Sequence, residues 1–265
     1  MDSTRRLYTP GFEDWDYGWA GIITDYLILV TCVVLASITL SRSKGPRLWW
    51  SITSQLLVFL VLNGIAYGGG GSAHHLLNTY HSDGGVMGKA WGAKNSGWMY
   101  PWLVAMIFSS LTGAFALSTI CAFSSYPSWS GIPGYVIGGS VAVMEAYIFI
   151  ATDTGVEVTG TANGLWGMGS AAIGTAVLAV GLCQRGPSGG LAMALGGMTS
   201  LLLGFLVVLS VPGSCRKVGD EHEGCPFPEI FNQNAVFHVL IIISLILVTL
   251  GALQKAEADD IKLPQ

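Results

Sequence analysis

His238 lies in the run Phe231-Asn-Gln-Asn-Ala-Val-Phe-His-Val-Leu240, one turn inside the last apolar segment of the chain. An ionisable side chain within a membrane span is costly and marks a candidate site. Asn234 stands four residues earlier and shares its helix face. A histidine pair, His74 and His75, closes the second apolar segment just after Ser72. Imidazole is a zinc ligand, and a catalytic zinc takes about three protein ligands and one open position. His75 and His238 supply two of them. Neighbours on a helix point about 100° apart, so only one of the pair faces a shared site; His75 is preferred, with His74 as the alternative. Asp83 or His81, next along the chain, is expected to complete the set. Asparagine is a poor zinc ligand, which leaves Asn234 as a pocket residue.

Other polar groups at membrane depth are few. Asp25 and Asn63 fall in the first and second segments, and Glu145 in the fourth. Glu145 reads as a proton-handling group, a cation ligand or a buried neutral carboxyl bonded to a neighbouring helix. The patch Glu13-Asp-Trp-Asp16 precedes the first segment. Its carboxylates, Glu13, Asp14 and Asp16, could bind calcium or form a solvated acidic face.

The elements that must position these groups follow from composition. Of 265 residues, 51% are hydrophobic and 11% charged, and mean hydropathy is +0.56. Soluble domains carry about 25% charged residues, so the chain reads as an all-α polytopic membrane protein. The net charge of -4 argues against nucleic acid, which needs a basic face; the expected partner is membrane lipid. Apolar stretches long enough to span lie at about 19–40, 49–71, 98–123, 132–152, 162–183, 191–211 and 235–253. They predict a seven-transmembrane helix bundle over 19–254, an extracytosolic segment 1–18 and a cytosolic tail 255–265. The glycine run Gly68-Gly-Gly-Gly71 is expected to loosen the end of segment 2. Pairs such as Gly64/Gly68, Gly134/Gly138 and Gly160/Gly164 are spaced for close helix packing in lipid.

The cluster Arg42-Ser-Lys-Gly-Pro-Arg47 abuts two segments. Positive charge there places the first loop in the cytosol and the N-terminus outside. Segment 2 then runs outward and segment 7 inward, which brings both histidine groups to the outer side. Cys215 and Cys225 bracket the loop before segment 7 on that side. An oxidising compartment permits a disulfide between them.

The last-segment run and Gly71-Ser-Ala-His-His75 together resemble the CREST superfamily of seven-helix membrane proteins. That group includes alkaline ceramidases, progestin and adiponectin receptors, and Per1-like proteins. Its last-helix motif is His-x-x-x-His, and its second helix ends in a serine and a histidine followed by an aspartate. On the residues that match, the resemblance implies zinc on His75 (or His74) and His238. It implies an oxyanion-holding serine at Ser72 and the aspartate at Asp83. Asn234 stands where the family has its first histidine, and Ser72 is one residue nearer to His75 than in the family. The acidic patch is similar to the calcium-binding N-terminus of ceramidases. The implied activity is zinc-dependent hydrolysis of a lipid amide. The alternative is a non-catalytic, receptor-like or lipid-binding bundle in an endomembrane or the plasma membrane. Transport or proton conduction rests only on Glu145 and Asp25. Retinal binding is disfavoured, because no lysine falls inside segment 7.

Overall fold

A computed structural model of the chain describes residues 19–43, 51–82, 99–123, 131–151, 155–185, 188–210, 224–228 and 231–260. The described residues are mainly helical, with no strand among them. This follows from the solvent. In hydrocarbon every backbone N–H and C=O must find a partner within the protein, and a helix satisfies them locally. The helices are α1 (Trp19–Arg42), α2 (Ile52–Ser82), α3 (Met99–Cys121), α4 (Gly139–Ala151), α5 (Gly155–Arg185), α6 (Gly189–Ser210) and α7 (Gln233–Asp260). A π-helical stretch, Pro133–Gly138, leads into α4. Six of them are long and apolar enough to cross a membrane: α1, α2, α3, α5, α6 and α7. The fourth unit, divided by its π-helical stretch, is not among the six.

Side-chain caps fix three of the helix starts. Ser51 Oγ accepts from Ser54 N at 3.2 Å ahead of α2, and Ser188 Oγ from Leu191 N at 3.3 Å ahead of α6. Asn232 Oδ1 accepts from both Asn234 N and Ala235 N at 3.1 Å, which caps α7. An N-cap side chain satisfies amides that the first turn leaves without partners. Asn232→Ala is therefore expected to lower stability by about 1 kcal/mol, read as a loss of thermal stability in detergent. A Tm unchanged within error would contradict the capping role.

The six long helices close into a ring. The contacts run α1–α2, α2–α3, α3–α5, α5–α6, α6–α7 and α7–α1, and the fourth unit packs on α3 and α5. Directions can be read from the contacts. Asp25 meets Gly70 while Cys32 meets Gly64, so α1 and α2 are antiparallel. Thr24 meets His238 and Arg42 meets Glu257, so α1 and α7 are parallel. Ser118 meets Gly134 and Ser110 meets Glu145, so the fourth unit runs against α3. The start of α1 and the end of α7 therefore lie at opposite ends of the bundle.

Glycines set how closely these helices approach. On α6, Gly190, Gly197 and Gly204 recur every seven residues and face Gly251, Val248 and Phe237 of α7. A Cβ on Gly251 would sit 2.4 Å from Gly190 O. Small residues that admit a neighbouring backbone are the usual means of packing helices in lipid. Of the pairs expected from spacing, Gly64/Gly68 pack on Leu29 of α1, and Gly134/Gly138 on Phe115 and Ala114 of α3. Gly164 has nothing within 4 Å of a Cβ placed on it.

Two boundaries differ from the sequence reading. The glycine run does not end α2, which continues to Ser82. Its glycines are enclosed on two sides: a Cβ on Gly69 would meet Pro101 O at 2.9 Å, and one on Gly71 would meet Asp25 Cβ at 3.1 Å. Packing holds the helix that glycine propensity alone would loosen. The tail assigned from 255 is also still helical, to Asp260. There Lys255 pairs with Asp259 one turn on, and Glu257 lies 3.8 Å from Arg42.

Candidate functional site

Three ionisable side chains meet near the start of α1. Asp25 comes from α1, His74 from α2 and His238 from α7. They are 2%, 5% and 3% exposed, so the cluster is closed to bulk solvent. His238 Nε2 lies 3.3 Å from Asp25 Oδ1, and His74 Nε2 lies 3.6 Å from Asp25 Oδ2. Both imidazoles thus present Nε2 to one carboxylate. Gly71 of α2 admits this close approach, because a Cβ on it would stand 3.1 Å from Asp25 Cβ. Aromatic rings hold both histidines edge-on. Tyr67 packs against His238 at 5.4 Å and Trp102 against His74 at 5.6 Å, each at 83°.

Thr24 is coupled to the tautomer of His238. Its hydroxyl lies 2.6 Å from Ala20 O and 2.7 Å from His238 Nδ1. The hydroxyl also lies 3.0 Å from Gly21 O. A hydroxyl has one proton, which goes either to a backbone carbonyl, with Nδ1–H of His238 donating to Thr24, or to Nδ1, with the ring proton on Nε2 facing Asp25. With Nδ1 protonated, Nε2 of a neutral ring is a lone pair directed at a carboxylate oxygen. Two lone pairs at 3.3 Å repel unless a cation lies between them. That cation is either a proton, on the ring or on the carboxyl, or a metal ion. An uncompensated Asp25 charge here would be expensive for the same reason.

The separations bear on which cation fits. Charge-assisted N–H···O contacts lie at about 2.7–2.9 Å, and a separation of 3.6 Å is not a hydrogen bond. Two ligands on a tetrahedral zinc at about 2.0–2.1 Å stand about 3.3 Å apart. Two histidines and one carboxylate is also a composition of catalytic zinc sites. The fit is pairwise, each histidine with one oxygen of Asp25. Among the described residues no group of three His, Cys, Asp or Glu side chains surrounds one ion.

The sequence-predicted residues fall as follows. His238 is in the cluster. His74, the alternative, replaces His75, which is exposed. His74 and not His75 lies on the face of α2 that carries Asn63, Tyr67 and Gly70, spaced four, three and four residues apart. The third member is Asp25, to which the sequence gives the same readings as Glu145, a proton-handling group, a cation ligand or a buried neutral carboxyl, without placing it beside the histidines. Asp83 lies outside the described residues, as does the side chain of His81. The Ser72 hydroxyl donates to Gly68 O of its own helix at 2.8 Å. Asn234 is partly buried, with its Nδ2 3.7 Å from a Cβ placed on Gly21. Glu13, Asp14 and Asp16 lie outside the described residues, so the calcium expectation does too. Cys215 also lies outside them; Cys32, Cys121 and Cys183 are free thiols, and Cys225 is not among those.

Glu145 occupies a separate place. It is fully buried and accepts from Ser110 Oγ at 2.6 Å. The carbonyl of Ser110 accepts from Trp166 Nε1 at 2.9 Å. Nearby, Asn163 of α5 bridges Ser109 Oγ and Met106 O at 3.0 and 2.8 Å. This polar seam joins α3 to α4 and α5. It matches the expectation of a carboxyl bonded to a neighbouring helix.

Thr24 was missed from the sequence, although it precedes Asp25 directly. The usable signal was an acid beside a hydroxyl in the first turns of an apolar helix. If Thr24 orients a ligand, Thr24→Val is expected to weaken cation binding about 10–100-fold, the range for second-shell partners of metal ligands. Competition with a fluorescent zinc chelator measures this. Unaltered affinity would show that Thr24 serves only packing.

No protein-family model, curated protein or solved structure matches the chain.

Proposed function

We propose that the protein is an intramembrane, cation-dependent hydrolase of a lipid amide, with Asp25, His74 and His238 as the ligand set. Zinc is the ion that the two imidazoles and one carboxylate suit best. The observation that carries the reading is the His238–Asp25 contact. Where Thr24 accepts from Nδ1–H of the ring, Nε2 and the carboxylate oxygen share a cation, and their 3.3 Å separation suits two zinc ligands. When bound, zinc would supply Lewis-acid polarisation of the carbonyl and an acidified water. The chain's own residues have separate tasks. Asp25 balances positive charge in the bundle interior, Thr24 holds the tautomer of His238, and Trp102 restrains the ring of His74. The net reaction adds water across the amide C–N bond and releases a fatty acid and an amine. The local resemblance to alkaline ceramidases supports the lipid-amide class.

The proposed setting is a seven-helix membrane protein in which the fourth unit also spans. Its N-terminus would be extracytosolic and its C-terminus cytosolic. Arg42 and Lys255 lie at the end of the bundle away from Asp25, which agrees with positive charge inside. The Cys215–Cys225 disulfide belongs to the same proposal, since it requires the oxidising side.

A second reading is a non-catalytic lipid-binding or receptor-like bundle with protons as the shared cations. The absence of a formed three-ligand centre among the described residues favours it. Incubating the full chain in nanodiscs with a fluorescent N-acyl amino-alcohol lipid separates the two. The hydrolase reading expects release of fluorescent fatty acid that a zinc chelator stops and added zinc restores. Saturable binding of the lipid without product would replace it by the second reading.

A further inference from the structure

A cavity of ≈ 40 Å³ lies in the bundle interior, deeper along α2 and α7 than the cluster. Its polar lining is Asn63, Tyr67, Ser109, Thr112, Ser170 and Ser244. Such a concentration of hydroxyls and amides within a membrane bundle demands partners, because an unbonded polar group in an apolar interior is costly. Several find them in the protein: Asn63 Nδ2 donates to Phe59 O at 3.1 Å, and Ser109 to Asn163. Two do not. Among the described residues, Thr112 Oγ1 and Ser170 Oγ are buried and have no hydrogen-bond partner. Ser170 is only 1% exposed. Both belong to the wall of this cavity. A buried water needs about 10–15 Å³ of such volume and about three polar partners. The space suits about three waters by the same measure, and the lining supplies the partners. Tyr67 belongs to this wall and also packs edge-on against His238.

We propose that this cavity is an internal water site, with Thr112 and Ser170 as its anchors, that supplies the reacting water to the Asp25–His74–His238 cluster past Tyr67. The supply role rests on the hydrolase reading, whereas the hydration does not. A hydrolase enclosed by lipid needs such a store, since its three ionisable side chains are shut off from bulk solvent.

X-ray radiolysis of the full chain in nanodiscs in ¹⁸O-labelled water tests the hydration, because hydroxyl radicals formed from bound water mark adjacent side chains. Phe59 and Phe115 form a matched pair, 3% and 4% exposed, and of the two only Phe59 lines the cavity. Labelling of Phe59 several-fold above Phe115 is expected, and it should fall towards the Phe115 level in Ser170→Ala. Equal labelling of the two in the unmutated protein would overturn the proposal. Stability gives a second sign. Removing an anchor of bound water lowers Tm, whereas removing an unbonded buried hydroxyl raises it; a higher Tm for Ser170→Ala would also overturn the water site. The supply role has its own test: Ser170→Val, which fills the space, should slow lipid-amide release at least tenfold while zinc content stays unchanged. Full activity in a Ser170→Val protein whose Phe59 is no longer labelled would refute the supply role. Strong Phe59 labelling without any hydrolysis would instead remove the hydrolase reading and leave the water site standing.

Discussion

Asp25→Asn is expected to empty the site. The substitution keeps the shape of the side chain and removes its charge, so the packing of Gly70 and Gly71 against it is retained. What is lost is a carboxylate that both histidines address. A neutral amide is a poor zinc ligand and cannot balance a cation in an apolar interior. Loss of a partner behind a ligand costs about 10–100-fold in affinity, so loss of a ligand should cost at least about a hundredfold by the same scale. Lipid-amide release should fall with it. The histidine pair gives the matching contrast: His74→Ala should behave like Asp25→Asn, and His75→Ala like the unmutated protein. Zinc titration and product release measure both. An Asp25→Asn protein with unmutated zinc affinity would remove Asp25 from the ligand set.

Gly251→Ala is expected to have the largest effect on stability of any single methyl added to the described helices. The new carbon would lie 2.4 Å from Gly190 O, 2.9 Å from Ala194 N and 3.2 Å from Ala194 Cβ. Two of those neighbours are backbone atoms, so no rotamer change relieves the contact. Overpacking of this kind costs about 1–3 kcal/mol. The α6–α7 seam would have to open, and His238 rides on α7. Gly164→Ala is the control, because nothing lies within 4 Å of the added atom. Alanine is a better helix former than glycine by about 1 kcal/mol, so its Tm should hold or rise. Equal losses in the two variants would show that close α6–α7 approach is not what the glycines provide.

Much of this was legible in the sequence. Hydropathy located the described helices α1 to α7, and the histidines at the end of segment 2 and the start of segment 7 pointed to one end of the bundle. What differed was the choice between the neighbours His74 and His75, and the place of Asp25 beside them was not foreseen. His74 could have been preferred, because Asn63, Tyr67, Gly70 and His74 form one stripe of polar, aromatic and small residues; His75 lies about 100° off it. Asp25 was visible as a buried acid, but its link to the histidines depends on α1 and α7 lying side by side. That adjacency is a property of ring closure between the first and last long helices, and no local pattern encodes it. Asp83 and the side chain of His81, expected as the third ligand from their place after segment 2, lie outside the described residues. The continuation of α2 through four consecutive glycines was illegible for a related reason. Propensity disfavours them, while the contacts from α1 and α3 that require them are tertiary.

The central claim is that Asp25 and His238 share a metal cation. Elemental analysis of the full chain, purified without chelator, tests it most directly when run beside Asp25→Asn and His238→Ala. Close to one zinc per chain is expected in the unmutated protein, and background levels in both variants. Background zinc in all three, with the proteins folded, would contradict it and leave a proton between Asp25 and His238.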